Sequence, residues 1–192
     1  TQSSLRMAVA VPDPAAALYF PTTLTNSLLG GTMSSRITAN LREDKGYSYS
    51  PDSSISARRG NALWVMSAEI TAGHTAEALT EIFREIERLQ HEPPAAGELD
   101  AIKRYRAGIF VIGNSSPNGV LGQLAFMDLH GLPPEFLTHW VANMYAVTPQ
   151  QVTDIARRYI LPARMTIVIV GDLKTIGDSV RALPQLQGAR MP

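Results

Sequence analysis

The chain contains no cysteine, and this absence excludes several kinds of site. Without thiols there is no disulfide scaffold, no thiolate zinc site and no cysteine nucleophile. An excess of charge of one sign is also missing, because seventeen Lys and Arg residues balance seventeen Asp and Glu residues among 192. A net charge of zero argues against a protein that binds nucleic acid through bulk electrostatics.

Long hydrophobic runs are absent as well. A membrane-spanning helix needs about 20 consecutive apolar residues, whereas the purest apolar run, at residues 165–170, has only the length of a strand. The hydrophobic fraction of 45% is instead typical of a globular chain that can bury a core. The sequence starts at Thr1 and shows no signal peptide, so we interpret it as a piece of a longer polypeptide or a processed product.

The periodicity of the apolar residues predicts strands and helices in alternation. Apolar or alternating runs predict strands at residues 5–11, 47–57, 62–70 and 165–170, with 47–57 at an edge and 165–170 buried at the centre of a sheet. Apolar spacings and capping signals predict helices at residues 13–29 with a kink at Pro21, and at 34–46, 79–89, 99–113, 121–129, 136–145 and 149–159.

The order of these elements predicts an α+β fold. The strands fall into two groups and most helices lie between them, which favours a mixed or antiparallel sheet with helices packed on one face. We expect a single domain over residues 1–186. The tail at residues 187–192 is expected to fray, because the chain after its last apolar segment is rich in Pro, Gly and Gln.

No metal or nucleophile motif is present. Because cysteine is absent, only imidazoles and carboxylates could bind zinc, and neither H-x-x-E-H nor H-E-x-x-H occurs. The four histidines are interpreted as surface or helix-end residues: His74, His91, His130 and His139. There is also no G-x-S-x-G elbow and no phosphate-binding loop. We therefore predict that this chain alone holds no metal or cofactor, and that it binds no nucleic acid.

The most informative segment is residues 28–50, LLGGTMSSRITANLREDKGYSYS. The Gly-Gly pair at 30–31 predicts a helix end that needs positive φ. The helix that follows has an apolar stripe at Met33, Ile37 and Leu41. A glycine turn then leads into the predicted edge strand.

Arg42, Tyr47 and Tyr49 are the candidate functional residues of this segment. Arg42 falls in the last helical turn, where a cation is favourable, and strand alternation predicts Tyr47 and Tyr49 on the same face. An Arg and a Tyr side by side across a tight turn can donate hydrogen bonds to one carbonyl or carboxylate. The residues alone favour a plainer interpretation, in which Arg42 pairs with a surface acid and the tyrosines pack.

The run LGG-x-x-SSR, with LRE before the glycine turn and GYSYS after it, resembles the C-terminal half of pitrilysin-type zinc peptidases. This group includes insulin-degrading enzyme and mitochondrial processing peptidase. The opening strand, the helical middle and the closing VIVGDL at residues 168–173 occur in the same order. The resemblance covers nearly the whole chain, and it implies one of four similar α+β domains that form a hollow clamshell.

The resemblance also implies roles for individual residues. In this family one half carries H-x-x-E-H and a distal Glu, and the other, inactive half contributes an Arg and a Tyr seven residues apart to the shared cavity. Arg42 and Tyr49 have that separation, so Tyr49 is expected to bind the reacting carbonyl and Arg42 a nearby part of the substrate. Tyr47 stands where the family more often has an aliphatic residue, and it is a secondary substrate-binding candidate.

The implied assembly is a zinc metalloendopeptidase in which zinc lies on a partner domain or subunit with H-x-x-E-H. This chain alone is then expected to be inactive, and the substrate is a peptide or unfolded polypeptide. Two alternatives stay open, a non-catalytic structural subunit of the same fold and a free-standing peptide-binding module. Self-association through an exposed inner face stays open too. Because bacterial relatives are often exported, the resemblance favours the periplasm over the cytoplasm.

Overall fold

The computed structural model describes residues 1–187, and within them four strands form an antiparallel sheet. The strands are β1 (Gln2–Val11), β2 (Asp52–Arg58), β3 (Asn61–Thr71) and β4 (Thr166–Val170), and their order across the sheet is β2-β3-β1-β4. Gly60, with φ of 76°, makes the tight turn between β2 and β3. The sequence predicts strands at residues 47–57 and 62–70, and the structure joins β2 and β3 at this place as a hairpin.

Alternation along the strands separates a buried face of the sheet from an open face. On β1 the side chains of Leu5 and Met7 are fully buried, and on β3 those of Trp64 and Met66 are. The register places Met7 opposite Met66. The intervening residues, such as Arg6, lie exposed on the other face. The predicted α+β class, with helices on one face of the sheet, is confirmed.

The helices follow the predicted blocks closely after residue 75. Their bounds are α1 (Tyr19–Leu29), α2 (Arg36–Thr38, continued as a π-helical turn at Ala39–Asp44), α3 (Thr75–His91), α4 (Ala96–Gly113), α5 (Pro117–His130), α6 (Glu135–Thr138), α7 (Trp140–Ala146), α8 (Pro149–Tyr159) and α9 (Leu173–Arg181). Helices α1, α3 and α8 pack on one another and on the sheet. No helix in this part of the chain is both long and apolar enough to span a membrane.

Strand β4 departs most from its prediction. The β-branched run at residues 165–170 predicts a central strand buried on both faces, but β4 pairs with β1 and lies at one edge of the sheet. Ile167 and Ile169 pack against the core, whereas Val168 and Val170 are 51% and 66% exposed. Composition predicts the strand but not its place, because the order of strands is set by the tertiary fold.

The predicted helix from Asp13 is wrong in its first part. The Asp13 carboxylate accepts a hydrogen bond from the Ala15 N–H at 2.9 Å, and residues 14–18 form turns. Helix α1 begins at Tyr19, which places Pro21 in the first turn, where a backbone N–H has no helical partner to lose. Pro21 therefore marks the start of this helix and not a kink inside it.

Three further boundaries differ from the sequence analysis. The predicted strand at 47–57 becomes regular only at Asp52, and the predicted helix at 136–145 is divided at His139. Helix α9 was not predicted at all. Residues 188–192 of the predicted frayed tail lie outside the described residues, and the single-domain assignment of residues 1–186 stays a prediction.

Candidate functional site

Gly30 and Gly31 bring the end of α1 against β2. A Cβ atom on Gly30 would lie 2.7 Å from Ser53 Oγ, and one on Gly31 would lie 2.4 Å from Asn26 Nδ2. The Ser53 N–H donates to the Gly30 carbonyl at 3.0 Å, and Ser53 Oγ donates to Asn26 Oδ1 at 2.8 Å. Neither glycine has positive φ, so that prediction is wrong. Glycine is needed here because two backbones approach each other closely.

Arg36 holds α2 against α4. Its Nε and Nη2 atoms donate to the two carboxylate oxygens of Glu98, each at 2.8 Å, and the Arg36 side chain is only 8% exposed. These hydrogen bonds lower the pKa of the Glu98 carboxyl below its ordinary value, and they raise the pKa of Arg36. A bidentate, largely buried pair of this kind fixes the direction of the helix that carries it.

Helix α2 changes its hydrogen-bonding pattern in the segment that contains Arg42. It passes into the π-helical turn Ala39–Asp44, which contains Arg42. Gly46, with φ of 65°, ends this turn and confirms the predicted glycine stop. Turns of this type are rare, and they occur often at functional sites.

The apolar stripe of this helix is shorter than predicted. Ile37 and Leu41 are fully buried, whereas Met33 is 67% exposed. The helix begins only at Arg36, so the helical spacing that relates these residues does not reach Met33. Met33 instead lies beside Arg42, with its Sδ atom 3.7 Å from Arg42 Nη1.

The chain after Gly46 is tied down on two sides. The Tyr47 N–H donates to the Leu41 carbonyl at 2.8 Å, and the Tyr47 carbonyl accepts from the Thr71 N–H at 3.0 Å. Ser48 is buried and makes a single antiparallel bridge with Ile70 at the end of β3. Tyr49 therefore follows two residues that are anchored to both α2 and the sheet.

Arg42 and Tyr49 lie in contact. Arg42 Cζ is 4.8 Å from the centroid of the Tyr49 ring, which is the geometry of a cation–π pair. The Tyr49 residue is 78% exposed and the Arg42 side chain 28% exposed. Arg42 Nε also lies 3.1 Å from Glu43 Oε1, but the Glu43 side chain is 66% exposed, and solvent-screened pairs of this kind contribute little.

Tyr47 has different neighbours from Tyr49. Its ring stacks on the imidazole of His74, with centroids 4.5 Å apart and an interplanar angle of 14°, and it is half-buried against the core. The alternation of a regular strand does not apply to the two tyrosines, because residues 47–51 form only the one bridge at Ser48. The structure thus brings together Arg42 and Tyr49 and leaves Tyr47 beside His74.

The open face of the sheet continues from this pair. Ser48 Oγ donates to the backbone carbonyl of Glu69 at 2.7 Å, which joins the Arg42 segment to β3. The Glu69 carboxylate is exposed and accepts from Ser4 Oγ at 2.7 Å. On β2, partial burial raises the pKa of the Asp52 carboxyl. The segment that carries the partly exposed Arg42 and the exposed Tyr49 is thus joined through Ser48 to β3, whose open face carries polar groups.

The chemistry that these residues offer is hydrogen-bond donation. A guanidinium and a phenol can bind a carbonyl or a carboxylate oxygen. Within residues 1–187 no three His, Asp or Glu side chains are grouped as ligands of a metal ion.

Sequence reasoning missed the contact that positions this segment. Glu98 lies 62 residues after Arg36, and no local pattern relates the two. The only signal was the position of Arg36 inside the family-like SSR run.

Comparison with known proteins agrees with this structure. The family model described as the peptidase M16 inactive domain matches residues 1–105, more than half of the chain. The protein named "Uncharacterized zinc protease YmxG" from Bacillus subtilis (strain 168) is 26% identical over 134 residues, which are 69% of this chain and 32% of that protein.

Solved structures share the fold. The peptidase M16 inactive domain from Pseudomonas fluorescens superposes with a TM-score of 0.80 at 24% identity, over 88% of this chain and 40% of that one. A protease from Helicobacter pylori gives a TM-score of 0.81 at 20% identity, over 88% and 41%. The chain therefore spans about a third to two fifths of the length of these relatives. It belongs to the peptidase M16 family of zinc proteases, as an inactive domain.

Proposed function

We propose that this chain is the non-zinc half of a zinc metalloendopeptidase and that it binds the peptide substrate through Arg42 and Tyr49. The observation that carries the proposal is the contact between these two side chains. The Tyr49 side chain is exposed and the Arg42 side chain partly exposed, while the backbone on both sides of them is fixed by hydrogen bonds. Precise positioning on a rigid base is what a binding or catalytic group requires.

The zinc of the other half supplies the activation of the attacking water. Within this chain, the Tyr49 hydroxyl donates a hydrogen bond to the peptide carbonyl oxygen as negative charge develops on it. Arg42 donates to a neighbouring carbonyl or carboxylate of the substrate and keeps the peptide in register. A donor aimed at developing charge contributes about 3 kcal/mol to the stability of the transition state.

The edge of the sheet offers a second, weaker kind of contact. Strand β2 is the outer strand on the side of Tyr49, and its edge after Ser53, whose N–H is bound by the Gly30 carbonyl, can pair with an extended peptide. Backbone pairing of this type is independent of side chains, and it suits a substrate that is an unfolded polypeptide. Tyr47, which stacks on His74, stays the secondary substrate-binding candidate next to the site.

The proposal is tested in the assembled peptidase with its zinc-bearing partner. We expect Tyr49→Phe to lower kcat by about a hundredfold or more with little change in KM, since the lost hydrogen bond forms mainly in the transition state. Arg42→Ala is expected to raise KM as well as lower kcat/KM. The measurement is turnover of an unfolded peptide by zinc-loaded enzyme.

Tyr145→Phe is the matched control, because Tyr145 is also an exposed tyrosine but lies on helix α7. Its kinetics should equal those of the parent. Rates for Tyr49→Phe and Arg42→Ala that also equal the parent's would remove both residues from the mechanism. A partner without H-x-x-E-H would favour the alternative of a structural subunit.

A further inference from the structure

Asn40 lies in the π-helical turn two residues before Arg42, and its side chain binds another helix. Its amide nitrogen, Nδ2, donates to Glu81 Oε2 at 2.8 Å and to Glu85 Oε1 at 3.1 Å. Both carboxylates belong to α3, and the side chains of Glu81 and Glu85 are only 15% and 9% exposed. Because the acceptors are charged and largely buried, these hydrogen bonds are stronger than ordinary ones.

The backbone of Asn40 closes the turn that its side chain anchors. Its carbonyl accepts a hydrogen bond from the Lys45 N–H at 3.0 Å, and this step of five residues is the pattern of a π-helix. Arg36, which binds Glu98 on α4, lies four residues before Asn40 and therefore on the same side of the segment. The segment is thus fixed along one side to both α3 and α4.

The position of Arg42 depends on this turn more than the position of Tyr49 does. The side chain of Arg42 contacts exposed side chains, namely those of Met33, Glu43 and Tyr49. Tyr49 instead follows Ser48, which is joined to β3 by its backbone bridge and by its Oγ atom. The backbone of the turn therefore places Arg42, whereas the sheet places Tyr49.

We propose that Asn40, held by Glu81 and Glu85, is a positioning residue that orients Arg42 toward the peptide substrate. This inference rests on the proposed function, in which Arg42 binds the peptide. Side chains two residues apart do not face each other on a helical turn, so the amide of Asn40 binds α3 while Arg42 lies on a different side. Asn40 acts on the substrate through Arg42 and does not touch it.

The first test is a kinetic double-mutant cycle in the assembled zinc peptidase with an unfolded peptide. Asn40→Ala is expected to raise KM about fivefold or more and to lower kcat/KM, the same parameters that Arg42→Ala changes. Adding Asn40→Ala to Arg42→Ala should change kcat/KM by less than about twofold, because no guanidinium is left to orient. Losses that multiply in the double variant, or an Asn40→Ala enzyme that equals the parent while Arg42→Ala is impaired, would contradict the proposal.

Gln90→Ala is the matched control. Gln90 also lies on α3, and its amide nitrogen also donates to two acceptors, the carbonyls of Ile160 at 2.9 Å and Ala156 at 3.3 Å at the end of α8. This variant removes the same kind of contact between elements and should leave KM and kcat unchanged. Equal kinetic losses in Gln90→Ala and Asn40→Ala, both with the parent fold by circular dichroism, would mean that Asn40 has only a structural role.

A charge exchange tests the partner of Asn40. Asn40→Asp sets a third carboxylate against Glu81 and Glu85, so we expect KM to rise at least as much as in Asn40→Ala. Adding Glu81→Gln supplies an amide that can donate to the new carboxylate, and part of the loss in kcat/KM should be recovered. No recovery in this double variant would contradict the contact with Glu81 as the source of the effect.

Hydrogen exchange of the assembled peptidase, measured by mass spectrometry over residues 43–48, tests the device without reference to activity. The Lys45 amide should exchange at least about tenfold faster in Asn40→Ala than in the parent, and at the parent's rate in Gln90→Ala. Unchanged exchange in Asn40→Ala would overturn the proposal whatever the turnover. The substrate role is judged separately: normal turnover in Arg42→Ala would reject it, while faster exchange in Asn40→Ala would still show that Asn40 fixes the turn.

Discussion

Arg36 and Arg42 lie six residues apart in one segment, yet their surroundings are opposite. Arg36 is 8% exposed, and both carboxylate oxygens of Glu98 bind it from another helix. Arg42 is 28% exposed and lies beside Glu43, its neighbour in sequence, and the ring of Tyr49. The first arginine uses its donors inside the fold, whereas the second keeps part of its side chain in solvent.

This difference indicates how the segment works. The contacts that set its geometry lie at its start, in the approach of Gly31 to Asn26 and in the pair of Arg36 with Glu98. The exposed groups lie at its end, where Arg42 contacts Tyr49. Variants at the start should therefore change stability, and variants at the end should change activity with the fold intact.

The largest effect on stability is expected for Arg36→Ala. Removing the guanidinium leaves the Glu98 carboxylate without its partner, and we expect a loss of about 2–3 kcal/mol in the free energy of unfolding. Urea denaturation measures it. Arg36→Lys should recover only part of the loss, because an ammonium cannot bind both oxygens as the planar guanidinium does. A loss below about 0.5 kcal/mol would show that the pair is not structural.

Gly31→Ala should have the next largest effect, a loss of about 2 kcal/mol in the free energy of unfolding. The new Cβ would lie 2.4 Å from Asn26 Nδ2 and 3.1 Å and 3.2 Å from the Asn26 and Ser53 carbonyl oxygens, so backbone as well as side chain has to move. Gly108→Ala is the control, since Gly108 lies inside α4 and, apart from its chain neighbours and its own helix backbone, no atom lies within 4 Å of its Cβ position. That variant should be as stable as the parent or up to about 1 kcal/mol more stable. Equal losses in the two variants would contradict close approach as the reason for the Gly-Gly pair.

The pH dependence of the free energy of unfolding should show a smaller part of the stabilisation that the Arg36–Glu98 pair provides. The Arg36 guanidinium holds the pKa of Glu98 below its unfolded value, so the stabilisation is complete above that value, about pH 4.3. It is lost as the pH falls through the folded pKa. The advantage of the parent over Glu98→Gln in the free energy of unfolding should therefore be constant at neutral pH and shrink in acid. A difference that stays unchanged down to pH values of about 2 would contradict this assignment.

Arg42→Ala should have the smallest effect on stability, within about 0.5 kcal/mol. Its ion pair with Glu43 is exposed, and the ring of Tyr49 is largely in solvent. The same urea titration as for Arg36→Ala makes the comparison direct. A loss as large as that of Arg36→Ala would mean that both arginines build the fold.

The sequence predicts well the elements whose signals are local. The capping box of Thr148 and Gln151 begins α8 as predicted, and Gly46 and Gly60 end their elements with positive φ. Helix α3 and the β2–β3 hairpin also follow directly from periodicity and turn residues. In each case the residues that decide the structure are neighbours in the chain.

The features that the sequence did not predict depend on distant residues. β4 is at an edge because of the order of strands, and the Gly-Gly pair is dictated by the approach of β2. The pair of Arg36 with Glu98 joins helices that are far apart in sequence. For the candidate site, the residues alone favoured ordinary packing, and only the family resemblance singled out Arg42 and Tyr49. Their contact could be seen only once the π-helical turn and the bridge at Ser48 were in place.

Photocrosslinking tests most directly whether Tyr49 meets the substrate. A photoreactive benzophenone amino acid is introduced at position 49 in the assembled zinc peptidase, and at position 145 as the control, and each is irradiated with an unfolded peptide. Our account predicts a covalent adduct between this chain and the peptide at position 49 that excess unlabelled peptide removes, and none at position 145. No competable adduct at position 49, in an assembly that still binds the peptide, would contradict it.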